Sequence, residues 1–446
     1  MLAAALLFVA LPRGAWAGAL EVVSPKGLRV WLIEDHATPV LTLGFRFAGG
    51  SAEDPPGKEG VAHVAAEMFF EGGGKLSADD YLGRWSDIGA EYDIEARLES
   101  LRGTVRVLTP DRDKAMELLG LAVNAPRNDL SSLELVRDQI SAELDRDADD
   151  PESLAYLAYD ELSFAGHARA RPVGGTREGV AVVAASDLKR YRERVMARDG
   201  LSLAAVGDIT PAELGPLVDR IFARLPAHRR AGALSPPAAT TAKRSDLSLA
   251  SAQAQVVFGV GLPGLSERER LGADLLNYTL GGSAFTSRLY HEVREKRGLA
   301  YGIGTTLDSY SFMSELSGSF GSAPETVEEA ISLVRQEFGN LAAHPPTDSE
   351  IEEAKAALAG DYLRGLIRQA DLANELTLRM GQGAKPDCID TYAARLAAIT
   401  PDEVRGLAQR VPWLDRLVVV TVGAPAGLGA TASGRSRLHP PPAKEP

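Results

Sequence analysis

Residues 60–73 read GVAHVAAEMFFEGG and set His63 and Glu67 four apart, so that one helical turn stacks their side chains on one face. Zinc hydrolases use such a helix. In the inverted H-x-x-E-H arrangement two histidines one turn apart bind the metal, and the glutamate before the second takes a proton from the bound water. Here the three places hold His63, Ala66 and Glu67. Alanine cannot take that proton. Two readings stay open for the remaining pair: ligands of a harder metal site completed by another carboxylate, or a helix histidine beside a solvated acid.

A second group lies at residues 281–303, GGSAFTSRLYHEVREKRGLAYGI, where Arg294 and Tyr301 are seven apart. By residue type alone, Arg294 belongs to a surface charge run and Tyr301 to the start of a strand. Gly281 and Gly282 lack the lysine and the spacing of a phosphate loop. His36, His167, His228, His291, His344 and His439 show no ligand spacing to one another, although His291 lies three before Arg294. Cys388 is the only cysteine, which excludes an internal disulfide.

The elements that must carry these groups follow from periodicity. Alternating apolar residues predict strands at 28–34, 41–47, 104–108 and 201–206. Leu133, Val136, Ile140 and Leu144 form one stripe of a helix opened by Ser131 and Ser132 and closed near Pro151. Residues 226–251 are rich in Pro, Ala, Ser and Thr and predict an exposed linker centred on 231–247. The pattern after it repeats the pattern before it. LTLGFRFAGG leads to the His63 helix and Gly72-Gly73-Gly74; AQVVFGVGLPG leads to a helix with Leu271, Leu275 and Tyr278 and then to Gly281-Gly282. Each half then reaches a Gly-x-x-Tyr corner, Gly89 to Tyr92 and Gly298 to Tyr301, before a further strand and a long helix, the second of which carries Val327, Ile331, Val334 and Phe338. The chain reads as an internal duplication of an α+β unit, with domains at 18–230 and 248–423.

Composition sets the outer bounds. The 446 residues are 45% hydrophobic and 24% charged, as in an ordinary globular protein of two domains. A net charge of −13, with scattered Lys and Arg, excludes a phosphate-binding face, so no nucleic-acid partner is expected. Residues 1–17, MLAAALLFVALPRGAWA, join a short apolar run to a small-x-small pattern and predict a secretory signal cut after Ala17, hence a periplasmic or secreted protein. That run is too short to span a bilayer. Residues 424–446 are expected to be a disordered tail.

KEGVAHVAAEMFFEGG, the GGSAFTSRLYHEVREKRGLAY element and FAGHARARPVGGTREGV at 165–180 together resemble the insulinase and pitrilysin family of zinc metallopeptidases, of the mitochondrial-processing-peptidase type. The resemblance covers nearly the whole mature chain. It implies two homologous two-layer α+β domains, each an antiparallel-rich sheet packed with helices, forming half of a clamshell. It makes Glu143, 76 residues after Glu67, the match to the third zinc ligand, so that His63, Glu67 and Glu143 form a degenerate set expected to be without metal. It makes Arg294 and Tyr301 the pair that holds the substrate backbone and polarises the scissile carbonyl. In members that work as two chains, one carries the H-x-x-E-H helix and its zinc, and the other, zinc-less, donates the arginine and tyrosine. This chain resembles the second kind. The resemblance then implies no cofactor here, zinc in a homologous partner, and peptide substrates. A purely structural subunit and a self-sufficient His-Glu-Glu metallohydrolase are the alternatives. One departure concerns the edge strand GAEYDIEA, where Glu91, Asp93 and Glu95 oppose peptide binding by strand addition.

Overall fold

The computed structural model describes residues 18–423 and 432–433. The first half runs β1 (Leu20–Val23), β2 (Arg29–Glu34), β3 (Val40–Ala48), α1 (Val61–Glu67), α2 (Ala78–Asp87), β4 (Glu91–Ala96), β5 (Ser100–Leu108), α3 (Arg112–Asn124), α4 (Leu130–Asp147), α5 (Pro151–Ser163), α6 (Arg177–Ala181), α7 (Ala185–Val195), β6 (Leu201–Gly207) and α8 (Pro211–Phe222). The second runs β7 (Lys243–Ser248), β8 (Ala254–Leu262), α9 (Glu267–Asn277), β9 (Ala300–Ser309), β10 (Ser314–Ser322), α10 (Val327–Ala343), α11 (Asp348–Gly365), α12 (Gln369–Gly381), α13 (Tyr392–Ala397), α14 (Pro401–Arg410), α15 (Trp413–Arg416), β11 (Val418–Val422) and β12 (Ala432–Ser433).

The two sheets share one topology over five strands and differ at one edge, where β1 runs antiparallel to β2 but β12 runs parallel to β7. Their orders are β1-β2-β6-β3-β5-β4 and β12-β7-β11-β8-β10-β9. In each, one inner pair is parallel (β2 with β6, β7 with β11) and the next three are antiparallel. Phe45 of β3 faces Gly103 of β5, and Phe258 of β8 faces Gly318 of β10, so even the aromatic-over-glycine packing is duplicated. Each sheet buries one face under its own helices: Phe45, Phe47, Phe69 and Phe222 pack in the first half, Phe258, Phe338 and Trp413 in the second.

The opposite faces are covered by exchange. Helix α5 lays Leu154, Ala155, Ala158 and Tyr159 on Val257, Val418 and Val420 of the second sheet. Helix α12 lays Leu372, Ala373 and Leu376 on Trp31, Ile33, Ala204 and Val206 of the first. The contacts are close: a Cβ on Gly259 would stand 2.2 Å from the Tyr159 Oη, and one on Gly44 would stand 3.0 Å from the Ala373 Cβ.

Two expectations need adjustment. The stretch 231–247 ends in strand β7, whose polar residues pair with β11 through main-chain bonds that need no apolar pattern. Helix α4 begins at Leu130 after Asp129, with Ser131 and Ser132 inside its first turn. The signal segment 1–17 and most of the tail 424–446 lie outside the described residues, although Ala432 and Ser433 pair with β7. No helix among the described residues is long and apolar enough to cross a membrane.

Candidate functional site

Helix α1 starts where its chain can turn. Gly60 has φ 113°, a left-handed conformation costly for any residue with a Cβ. Buried Asp54 accepts from the N–H groups of Gly60 at 2.7 Å and Ala62 at 2.8 Å, satisfying donors that a helix start leaves free. Burial outweighs those bonds and pushes the Asp54 carboxyl up to about 7. Five of the seven helix residues face the core, which leaves His63 and Glu67 on the outer side. Ala66, at the place of the general base, is 1% exposed and packed into the core.

The segment 172–176 is pressed against this helix. Gly175 has φ 92°, and a Cβ there would stand 2.5 Å from the Gly60 Cα. The approach brings the Gly174 carbonyl to 3.1 Å from His63 Nδ1, so Nδ1 carries a proton and donates to it. Nε2 lies 3.8 Å from a Glu67 carboxylate oxygen. Burial raises the pKa of Glu67; His63 opposes this, while Glu143 on neighbouring α4, Asp93 and Glu71 add to it. Glu143 therefore acts on Glu67 electrostatically, yet among the described residues no three His, Cys, Asp or Glu side chains converge to hold a metal ion. The residues present do not fit a zinc cage.

In the second half, α9 continues into a wide π-helical turn at Tyr278–Gly282, and a second such turn spans Tyr290–Glu295. The glycine pair is explained by packing: a Cβ on Gly281 would stand 2.6 Å from the Thr305 hydroxyl of β9, which itself donates to Asn277 at 2.7 Å. The π-helical turn puts Arg294 beside β9, with its guanidinium 4.9 Å from the ring centre of Tyr290 and 4.9 Å from that of Tyr301. Such stacking occupies the faces of the guanidinium and leaves its in-plane N–H donors free. No carboxylate among the described residues forms an ion pair with Arg294. Tyr301 is 85% exposed at the start of edge strand β9. Phe285, also exposed, extends the row 5.5 Å from Tyr290. His291 turns to Glu295 of its own helix at 2.6 Å and not toward this row.

The two Gly-x-x-Tyr corners differ in what they do with the tyrosine. Tyr92 stacks on Phe70 at 3.6 Å and packs on Trp85, whereas Tyr301 stands in solvent. Strand β4, the other sheet edge, carries Glu91 bonded to Arg106 at 3.0 Å and Glu95 paired with Arg97 and Arg102, so two of its three acids are neutralised locally. The Gly174 carbonyl, the Asp54 cap and the stacking partner Tyr290 are missed by sequence reasoning. A signal existed only for the first, in the glycine-rich match at 165–180.

A duplicated α+β unit, with a zinc-peptidase-type helix in one copy and an exposed arginine–tyrosine pair in the other, defines a two-domain peptidase-like protein. The chain belongs to the M16, or insulinase, family of peptidases: the Insulinase (Peptidase family M16) profile matches residues 29–176, and the Peptidase M16 inactive domain profile matches 183–358. An uncharacterized zinc protease of Streptomyces coelicolor is 28% identical over 402 residues, covering 87% of this chain and 86% of the relative. A protein named a non-peptidase homolog in Helicobacter pylori is 24% identical over 330 residues, 73% of this chain and 76% of that one. In fold, the chain is similar to the crystal structure of a peptidase M16 inactive domain from Pseudomonas fluorescens, with TM-score 0.85 at 23% identity over 92% of this chain and 98% of that one.

Proposed function

We propose that this chain is the zinc-less subunit of a heteromeric peptidase and supplies Arg294 and Tyr301 to the zinc site of a homologous, H-x-x-E-H-bearing partner. The observation that carries the reading is the exposed Tyr301 stacked on Arg294, which pairs with no carboxylate among the described residues. An exposed aromatic over a free cation serves no packing purpose here, as the half-buried, ring-stacked Tyr92 shows by contrast. The buried Ala66 in the place of the base and the relative named a non-peptidase homolog support the same division of labour.

Zinc held by the partner's H-x-x-E-H helix would supply the activated water. When that water attacks a peptide carbonyl, negative charge grows on the carbonyl oxygen, and a phenol donor and a guanidinium placed there stabilise it. Tyr301 donates its hydroxyl proton in a hydrogen bond to that oxygen, while Arg294, held between two rings, binds the neighbouring backbone carbonyls. Strand β9 offers an open edge beside Tyr301 for an extended peptide. We place this work in the periplasm or outside the cell on the basis of residues 1–17; a mature N-terminus at Gly18 by intact-mass measurement checks it.

The test is hydrolysis of a quenched fluorescent peptide library with zinc, by the mature chain alone and mixed with an H-x-x-E-H homologue from the same genome. Turnover in the mixture exceeding that of the homologue alone supports the reading. Turnover by this chain alone, lost in His63→Ala, establishes the His-Glu-Glu alternative instead, and a mixture no faster than the homologue leaves the structural-subunit reading.

A further inference from the structure

Gly18, the residue that follows the Ala15-Trp16-Ala17 pattern, meets the second half of the chain. A Cβ on Gly18 would stand 2.5 Å from Oδ2 of Asp390, in the loop before α13. The Gly18 nitrogen is itself about 2.5 Å from that Cβ position, so nitrogen and carboxylate oxygen are at most about 5 Å apart. The contact is positioned from both sides. Ala19 packs against the apolar cluster that joins Trp31 and Ile33 of β2 to Leu372 and Leu376 of α12, and Ile389 belongs to the same cluster. Leu20 then enters β1 opposite Leu32. The neighbours of Gly18 and of Asp390 are thus held in one seam between the halves, and both residues emerge from it into solvent.

Asp390 has no cation of its own among the described residues. Burial and then the Asp387 carboxylate push its pKa up, and no Lys, Arg or His opposes them. Arg395, which reaches the adjoining Cys388 carbonyl, is paired with Glu267. In an uncleaved chain Gly18 offers only a neutral amide N–H. Hydrolysis of the Ala17–Gly18 bond takes up water, leaves a carboxylate on Ala17 and gives Gly18 an α-amino group that is mostly protonated at neutral pH.

We propose that Asp390 is the docking site of the α-ammonium group of the mature N-terminus, so that removal of residues 1–17 supplies the cation that ties β1 to the second half. Glycine suits the place, because no side chain stands between the ammonium and the carboxylate. The pair uses neither Arg294 nor Tyr301. It rests on the cleavage after Ala17 read from the sequence. Because both partners are exposed, the pair is screened by salt and shows as a local charge effect, not as a large change in global stability.

The rate of α-amine acylation, followed by mass spectrometry of the N-terminal peptide, tests it, since only the neutral amine reacts. The proteins are the chain cut from a fusion so that Gly18 leads, its Asp390→Asn variant, and the same two with Ala17 kept in front. With Gly18 first, Asp390→Asn should raise the rate near neutral pH about threefold, because an opposite charge within reach favours the ammonium form. The difference should fade in about 1 M salt. With Ala17 first the amine stands one residue, about 3.8 Å, further along the chain, and the variant should change little. Equal rates with Gly18 first overturn the pair, and an undiminished effect with Ala17 first overturns the docking by reducing it to the general field of the acids. Intact mass of the chain exported with its own residues 1–17 tests the processing separately: a first residue other than Gly18 overturns the link between cleavage and docking, whatever the acylation rates show.

Discussion

At the residue scale, the proposed chemistry turns on two side chains whose surroundings decide their use. Tyr301→Phe keeps the ring that stacks on Arg294 and deletes only the hydroxyl, so it isolates the donor. We expect kcat of the mixed enzyme to fall by about 10²–10³, the usual cost of one oxyanion donor, with assembly intact by gel filtration. Tyr92→Phe, at the equivalent corner, should leave turnover unchanged, since Tyr92 is held by its ring alone. Loss of rate in both, or in neither, defeats the assignment. The zinc helix gives a second prediction. Glu67 already shares the outer face of α1 with His63, whose Nδ1 is fixed by Gly174. Glu67→His should therefore give zinc binding measurable by calorimetry that the parent lacks, because a second neutral imidazole is the better zinc ligand. It should not restore hydrolysis while Ala66 remains. The spacing of Arg294 to Tyr301 was legible in the sequence; the opposite fates of Tyr92 and Tyr301 were not, since both sit in Gly-x-x-Tyr corners and only the neighbouring rings differ.

At the element scale, the duplication was legible because each copy repeats the same order of apolar strand, helix, glycine corner and strand. The exchange of α5 and α12 was not. Their apolar stripes show that each is buried, but the sheet that buries them lies in the other half of the chain, far away in sequence. Its trace is two strand glycines, Gly44 and Gly259, which periodicity treats as gaps and packing requires. Gly259→Ala puts a methyl where the Tyr159 hydroxyl lies and should cost about 1–3 kcal/mol, the range for overpacking. Adding Tyr159→Phe should recover part of that loss, since it clears the clash but leaves Glu315 without its 2.8 Å donor. Chemical denaturation of the two single variants and the double gives the coupling energy; strict additivity would mean the two residues do not meet.

At the scale of the whole molecule, the halves are also joined by a buried charge cluster that no local pattern announces. Tyr159 and Arg169 of the first half meet Glu315 of β10, and Arg169 also pairs with Asp160 while lying over the rings of Phe164 and Tyr310. One guanidinium thus serves two buried carboxyls, with Asp308 nearby. Burial raises Glu315 to about 7 and Asp160 to about 6. Both lie above their ordinary values, so the folded protein holds protons that the unfolded chain releases between about pH 4 and about pH 7. Stability contributed by these groups is fully present below that window and is lost as pH rises through it. Asp54 and Asp274, each raised to about 7, add to the same slope, so the total alone does not identify the cluster. Glu315→Gln does. Its amide oxygen still accepts from Tyr159, but it neither takes nor releases a proton, so Tm should fall less between pH 5 and pH 8 than in the parent. If Arg169 instead kept Glu315 ionised throughout, the parent and variant profiles would run parallel, and the interface between the halves would carry no pH dependence from this residue.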